Sequence, residues 1–395
     1  MLRQILIIVV LTISLRAGFD AGQPARANEG PSSKSWAQVL DTSIKPRYES
    51  EEHRTFDFWI GDWDVNWRSQ LPGEFHHQKV GSWTRNRVFP VLGGKAIMEI
   101  AWDRDMPEQP SQRGMSIRYF DTDKNRWVMA QHWPSATGAG WAMVDQLIGE
   151  AHHGRVSVYS TQVRANADGT TREEHRRYNF TDIRPGKSLR WDGANTADKG
   201  VTWNTWAISE MHRMGDVAPL GRAGMPLPDV VNELLCPNAP HGSFDFLQGT
   251  WVGDRETQHG DARPVTVTAG KSLDGCSIVS VIESGGIRTL TTLAYSDFFE
   301  LWFWFRLDDQ PGTKHNYFVS TDAGELPTFI EARTLAIEDE FSHFITQAKL
   351  ADLEPVRRRV WETVNDTEVI WREDVRKSAT DDWQMSHRIR LQRTR

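Results

Sequence analysis

A chain of 395 residues is too long for one ordinary hydrophobic core, so about two domains are expected. Its hydrophobic fraction of 39% and charged fraction of 25% describe a globular chain rather than a disordered one. A net charge of -7, without any clustered Lys/Arg stripe, argues against a nucleic-acid partner, whose phosphates demand a basic face.

Residues 1–27 read as an export signal. Arg3 supplies positive charge, "ILIIVVLTISL" (Ile5 to Leu15) is apolar, and "ARA" (Ala25 to Ala27) offers a cut site before Asn28. The apolar run is short for a bilayer span, although an uncleaved anchor is the alternative. No later segment is apolar enough for stable membrane insertion, so the expected location is periplasmic or secreted. Residues 28–50 form a polar lead-in.

From Phe56 the chain reads "FDFWIGDW", and from Phe244 it reads "FDFLQGTW", 188 positions later. The correspondence continues with loop-sized slippage. A shift of 181 lays "LGGKAIMEI" (Leu92 to Ile100) on "LDGCSIVSV" (Leu273 to Val281). A shift of 175 lays Trp127 on Trp302, and one of 180 lays Trp191 on Trp371 and Trp203 on Trp383. Offsets change only in polar or turn-rich stretches, where insertions are tolerated. The chain is therefore read as a duplication, residues 51–214 and 241–395, joined by a Pro/Gly-rich linker at 215–240.

Within each copy, short runs such as "DWDVNW", "RWVMAQHW" and "LWFWFRL" are rich in β-branched and aromatic residues and bounded by turn formers. Helix-length 3.6 periodicity is almost absent. The fold class is all-β, with two tandem antiparallel up-and-down barrels of about ten strands each, closure removing the exposed sheet edges.

The Gly-x-Trp of "FDFWIGDWDV" resembles the opening of lipocalin-like (calycin) barrels, in particular of a bacterial family of uncharacterised, often exported domains. The "L-x-G" turns, Leu92-Gly93-Gly94 and Leu273-Asp274-Gly275, also resemble that family. The resemblance implies that Trp63 and Trp251 plug the closed ends of the barrels, under an Arg from the last strand. Arg213 and either Arg388 or Arg390 are the candidates. Gly61 and Gly249 would let the chain turn tightly into the first strand.

A barrel of this size can enclose a cavity, and alternation nominates its lining. Trp127, Met129, Gln131 and Trp133 share one face, as do Trp302, Trp304 and Arg306. Such a wall suits a small apolar or aromatic ligand with one polar handle, or a stacked sugar; equally, the rings could be plain core. The expected ligand-binding set is Trp127, Gln131, Trp133, Glu99, Trp302, Trp304 and Arg306, with the second copy the favoured binder. Glu99, in an apolar strand, either faces inward with a raised pKa or faces out.

Histidines and cysteines carry less. His76-His77 and His152-His153 are adjacent pairs, which point apart on extended chain, and no metal-ligand spacing is present. Cys236 and Cys276 either pair, closing a loop of roughly 40 residues worth ~3–4 kcal/mol, or remain separate buried thiols. "FLQGTWVG" and "MSHRIRLQR" resemble nitrobindins, which implies a haem ligand at His387; the first copy has Ala207 there. Otherwise no cofactor is expected, and no catalytic triad, nucleophile elbow or phosphate loop is written. The readings carried forward are ligand binding, catalysis in the cavity through Glu99 or His387, and a solid-cored interaction protein.

Overall fold

The computed structural model describes residues 51–70, 77–78, 83–103, 112–122, 125–134, 141–152, 154–165, 171–215, 243–273, 276–296, 301–310, 315–321, 326–331 and 356–394. The export signal, the lead-in, the linker apart from Gly215, and the first two residues of copy two lie outside them, at 1–50 and 216–242.

The first copy runs β1 (Gly61–Gln70), β2 (His77–Gln78), β3 (Trp83–Val91), β4 (Ala96–Asp103), β5 (Gln112–Asp121), β6 (Arg126–Pro134), β7 (Trp141–His152), β8 (Arg155–Ala165), β9 (Thr171–Arg184), β10 (Ser188–Thr196) and β11 (Asn204–Gly215). The short β2 pairs with the end of β1. From β3 onward each strand is antiparallel to the next, and β1 closes the ring by pairing with both β3 and β11.

The second copy repeats this with β12 (Gly249–Thr257), β13 (Ala262–Ser272), β14 (Ser277–Ser284), β15 (Ile287–Ser296), β16 (Leu301–Asp308), β17 (His315–Ser320), β18 (Phe329–Glu331), β19 (Arg357–Val364), β20 (Glu368–Val375) and β21 (Gln384–Arg393). Neighbours in sequence pair antiparallel, and β21 returns to β12. Two closed antiparallel barrels in tandem result, and closure leaves neither with a free edge.

Each copy opens the same way. A single 3-10 turn, Asp57–Trp59 or Asp245–Leu247, precedes a glycine at positive φ, 153° at Gly61 and 105° at Gly249. The backbone at Gly61 favours glycine, and a Cβ there would crowd the Arg213 guanidinium at 3.0 Å. Two residues on, the indole turns inward and donates back to the turn. Trp63 Nε1 donates to the Trp59 carbonyl at 2.6 Å, and Trp251 Nε1 to the Leu247 carbonyl at 2.9 Å. Both rings are almost wholly buried, at 1% and 0% exposure.

The arginine over the second plug is neither Arg388 nor Arg390. Arg393, opposite Trp251 in the β12–β21 register, lies 4.4 Å from its ring centre and donates to the carbonyls of Phe246, Gln248 and Asp366. Arg213 is opposite Trp63 in the equivalent register. Arg388 instead pairs with Glu362 (2.8 Å), and Arg390 is exposed. The reason is register: the arginine must sit beside the plug at the barrel's closed end, three residues beyond Arg390.

Alternation sorts the remaining residues. In β4, Ile97 packs inside the first barrel while Ala96, Met98 and Ile100 face outward. That outer face meets Val279, Val281, Leu290, Phe305 and Leu307 of the second barrel in a shared apolar layer. Leu92 and Leu273 belong to it too, each at φ 53°, a conformation a branched side chain adopts only when its surroundings compel it. The leading residues of the L-x-G turns, Leu92 and Leu273, thus lie in the contact between barrels; Asp274 and Gly275 are outside the described residues. Cys276 lies in the same layer and is disulfide-bonded; the chain's other cysteine, Cys236, is outside the described residues.

If Trp251 closes its barrel as described, Trp251→Ala removes a fully buried indole and its hydrogen bond, at a cost of about 3–5 kcal/mol. Chemical denaturation is expected to show that loss, while Val252→Ala on the exposed face changes stability by about 0.5 kcal/mol or less. Equal stability of the two variants would contradict the plug.

Candidate functional site

In the first barrel the nominated side chains are packed against one another. Trp127 lies in the core with its ring 4.8 Å from Phe56 and 6.0 Å from Phe120. Gln131 is buried beside Met129, Nε2 lying 3.9 Å from the sulfur. The Trp133 side chain falls outside the described residues. Glu99 faces inward. One carboxylate oxygen accepts from Asn86 (2.7 Å) and the other from Ser116 and Arg118 (2.7 Å each). The Arg118 guanidinium in turn lies 3.7 Å from the Trp59 ring centre. Burial lowers the Arg118 pKa, and Glu99 opposes that fall. The pair braces the closed end, and its carboxylate is fully engaged.

At the corresponding place in the second barrel the ion pair is gone. Ser280, in the position of Glu99, shares a 2.6 Å hydrogen bond with Thr291, and Leu293 takes the place of Arg118. Trp302 packs at the plug end, 4.7 Å from Phe244 and 5.5 Å from Tyr295. Trp304 lies one step further along β16, stacked on Trp361 at 5.9 Å and edge-on to Trp371 at 6.5 Å.

Beyond these rings the interior opens into a cavity of about 220 Å³. Trp304, Trp371, Ile282, Ile287 and Ile389 form its apolar wall. Arg255, Arg306, Arg359, Asp308 and His387 form the polar side. β16 and β21 each supply members of both groups, Trp304 with Arg306 and Asp308, and Ile389 with His387. On β16 the inward face runs Trp302, Trp304, Arg306, Asp308, from plug to mouth.

The charges are extensively paired. Arg306 grips Asp308 with two bonds of 3.0 and 3.1 Å, and Thr289 donates to the same carboxylate at 2.6 Å. Arg359 donates to Glu373 at 3.2 Å while covering the Trp304 ring at 4.3 Å. Arg357 joins Glu373 to Glu331, at 3.3 and 3.6 Å. Burial alone would raise the Glu373 carboxyl, but Arg359 and the other neighbours outweigh it and hold it at about 2. Burial draws the Arg359 guanidinium down to about 10, against the pull of Glu373.

His387 is brought into this cavity, not to a surface. Burial, reinforced by Arg255, Arg359 and Arg306 and only partly opposed by Glu373, pushes its imidazole down to about 3. It is therefore neutral near pH 7, and its Nδ1 accepts from Arg255 at 3.4 Å. Arg255, Asp308, Arg359 and Glu373 escaped the sequence reading, and Trp371 was placed in the repeat without being nominated as lining. Extending the alternation from Trp251 to Arg255, and from Trp302 to Asp308, would have found two of them.

The first barrel fills this space with rings. Trp67, four residues after its plug as Arg255 is after Trp251, packs edge-on to Trp191 at 5.2 Å. Tyr178 and Trp206 complete the group, 5.0 and 5.7 Å from Trp191. Gly193, matching Glu373, has no room for a Cβ, which would approach the Trp206 ring to 2.6 Å. Among the described residues no three His, Cys, Asp or Glu side chains are grouped to hold a metal ion.

No family model matches the chain, and no curated protein does. Among solved structures it is similar to a protein of unknown function from the DUF3598 family of Nostoc punctiforme, 11% identical, at a TM-score of 0.25. That alignment covers 88% of this chain and 100% of the other.

The buried imidazole makes stability depend on pH. Its pKa is about 3 folded against an ordinary 6.5, so the unfolded chain binds the extra proton and stability falls as pH drops through 6.5 towards 3. Glu373, at about 2 against 4.5, adds its loss only below pH 4.5. His387→Gln is expected to flatten the decline of unfolding free energy between pH 6.5 and 4.5, measured by denaturant titration. An unchanged slope there would contradict a buried neutral His387.

Proposed function

We propose that this is a lipocalin-like two-barrel protein that binds a small, compact ligand in the second barrel, the first serving as scaffold. The observation that carries the reading is the cavity of about 220 Å³ bounded by Trp304 and Trp371 on one side and by convergent polar groups on the other. Small-molecule sites combine an apolar wall with fixed polar groups, and here the polar side is the larger, with Ser284, Thr289 and Gln310 beside the charged residues. Its volume lies below the roughly 300–1,000 Å³ of pockets for drug-sized ligands, which favours a guest about the size of a single substituted ring.

A porphyrin, implied by the resemblance to nitrobindins, fits the site poorly. The space beside His387 is too small for a macrocycle, and the imidazole Nδ1 already faces the Arg255 guanidinium. Catalysis finds less support than binding. Glu99 is committed to Asn86, Ser116 and Arg118, and an imidazole whose pKa is about 3 is a weak base at neutral pH.

Trp304 and Trp371 make the guest visible. A compact aromatic probe such as 3-phenylpropanoate is expected to quench tryptophan fluorescence saturably. Trp304→Leu is expected to weaken its affinity by about tenfold, roughly 1.4 kcal/mol. Absence of quenching across compact aromatics, short fatty acids and sugars would contradict a binding role.

A further inference from the structure

We infer that the guest of the second barrel is a small organic monoanion, a carboxylate on a compact apolar or aromatic body, with Arg255 as its anion contact. This rests on the reading of the cavity as a binding site. The charge network around the cavity holds four guanidinium groups, Arg255, Arg306, Arg357 and Arg359, against three buried carboxylates, Asp308, Glu331 and Glu373. Arg306 is satisfied by Asp308, and Arg357 and Arg359 by Glu331 and Glu373.

Arg255 is the cation left over. Among the described residues its hydrogen-bond partner is His387 Nδ1 at 3.4 Å, a neutral acceptor, and no carboxylate pairs with it. A guanidinium drawn out of water without a paired carboxylate is costly, and burial, with Arg306 and Arg263, lowers its pKa against the opposing pull of Glu373 and Asp308. A guest carboxylate would accept two bonds from its planar fork and neutralise the surplus charge.

The guest's apolar body would then lie against Ile282, Ile287 and Trp371. The first barrel replaces Arg255 with Trp67, so the charge belongs to the second copy alone.

The test compares 3-phenylpropanoate with its neutral, nearly isosteric amide by calorimetry at low salt, on the full chain and on Arg255→Met. On the native chain the carboxylate is expected to bind about tenfold or more tighter, the usual scale for a charge-assisted hydrogen bond. In Arg255→Met, folded by circular dichroism, that preference is expected to vanish with the amide's affinity changed by about twofold or less. Equal affinity of the native chain for both probes overturns the anion inference and leaves the cavity as a binding site. Binding of neither overturns both readings. A preference that survives in Arg255→Met overturns the assignment to Arg255, and the native comparison decides the charge preference even if that variant misfolds.

Discussion

A barrel strand must point half its side chains into a space that only a few can fill, and what closes that space decides everything else here. In each copy the closure is one indole, Trp63 or Trp251, tied by its N–H to the 3-10 turn that precedes its own strand. Glycine at positive φ makes the geometry reachable, and in the second copy Arg393 binds the last strand to the same turn through the Phe246 and Gln248 carbonyls, and to the β19–β20 connection through that of Asp366. One end of the barrel is thereby finished using local contacts and the first and last strands. The opposite end is left free to differ.

The two copies use that freedom in contrasting ways. The first places its ion pair, Glu99 with Arg118, deep against the plug and stacks Trp67, Tyr178, Trp191 and Trp206 beyond it. The second makes its plug end apolar and moves charge to the far end, around a space bounded by Trp304 and Trp371. Buried charges are tolerated there because nearly every guanidinium meets a carboxylate, and isolated ones would be expelled or neutralised. The outer faces of the two sheets then share one apolar layer, which explains why a branched residue holds a left-handed conformation at Leu92 and Leu273.

The all-β class and the pair of barrels were legible because they rest on short-range chemistry: strand alternation, turn residues and a Gly-x-Trp written twice. The inward face of β16 was legible too, for the same period-two reason. Trp302 and Trp304 differ, however, in depth along the barrel, and nothing in "LWFWFRL" marks which ring is core and which bounds a cavity. Glu99 read as ambiguous because its partners, Asn86, Ser116 and Arg118, come from neighbouring strands whose register the sequence does not spell out. Arg393 could have been found from the constant shift of 180 that joins Trp191 to Trp371, since the same shift carries Arg213 to Arg393. Arg306 was read from alternation, which also reaches Arg255 and Asp308 when extended, whereas Arg359 and Glu373 are brought beside His387 only by closure of the ring, and no local pattern announces them.

The central claim is that the second barrel is hollow and electropositive at the place where the first is packed with rings. Anomalous diffraction from crystals soaked in bromide measures this directly. The account predicts a bromide peak inside the second barrel beside Arg255 and none among Trp67, Tyr178 and Trp191. A second-barrel interior without bromide, or an ion lodged among the first barrel's rings, would contradict it.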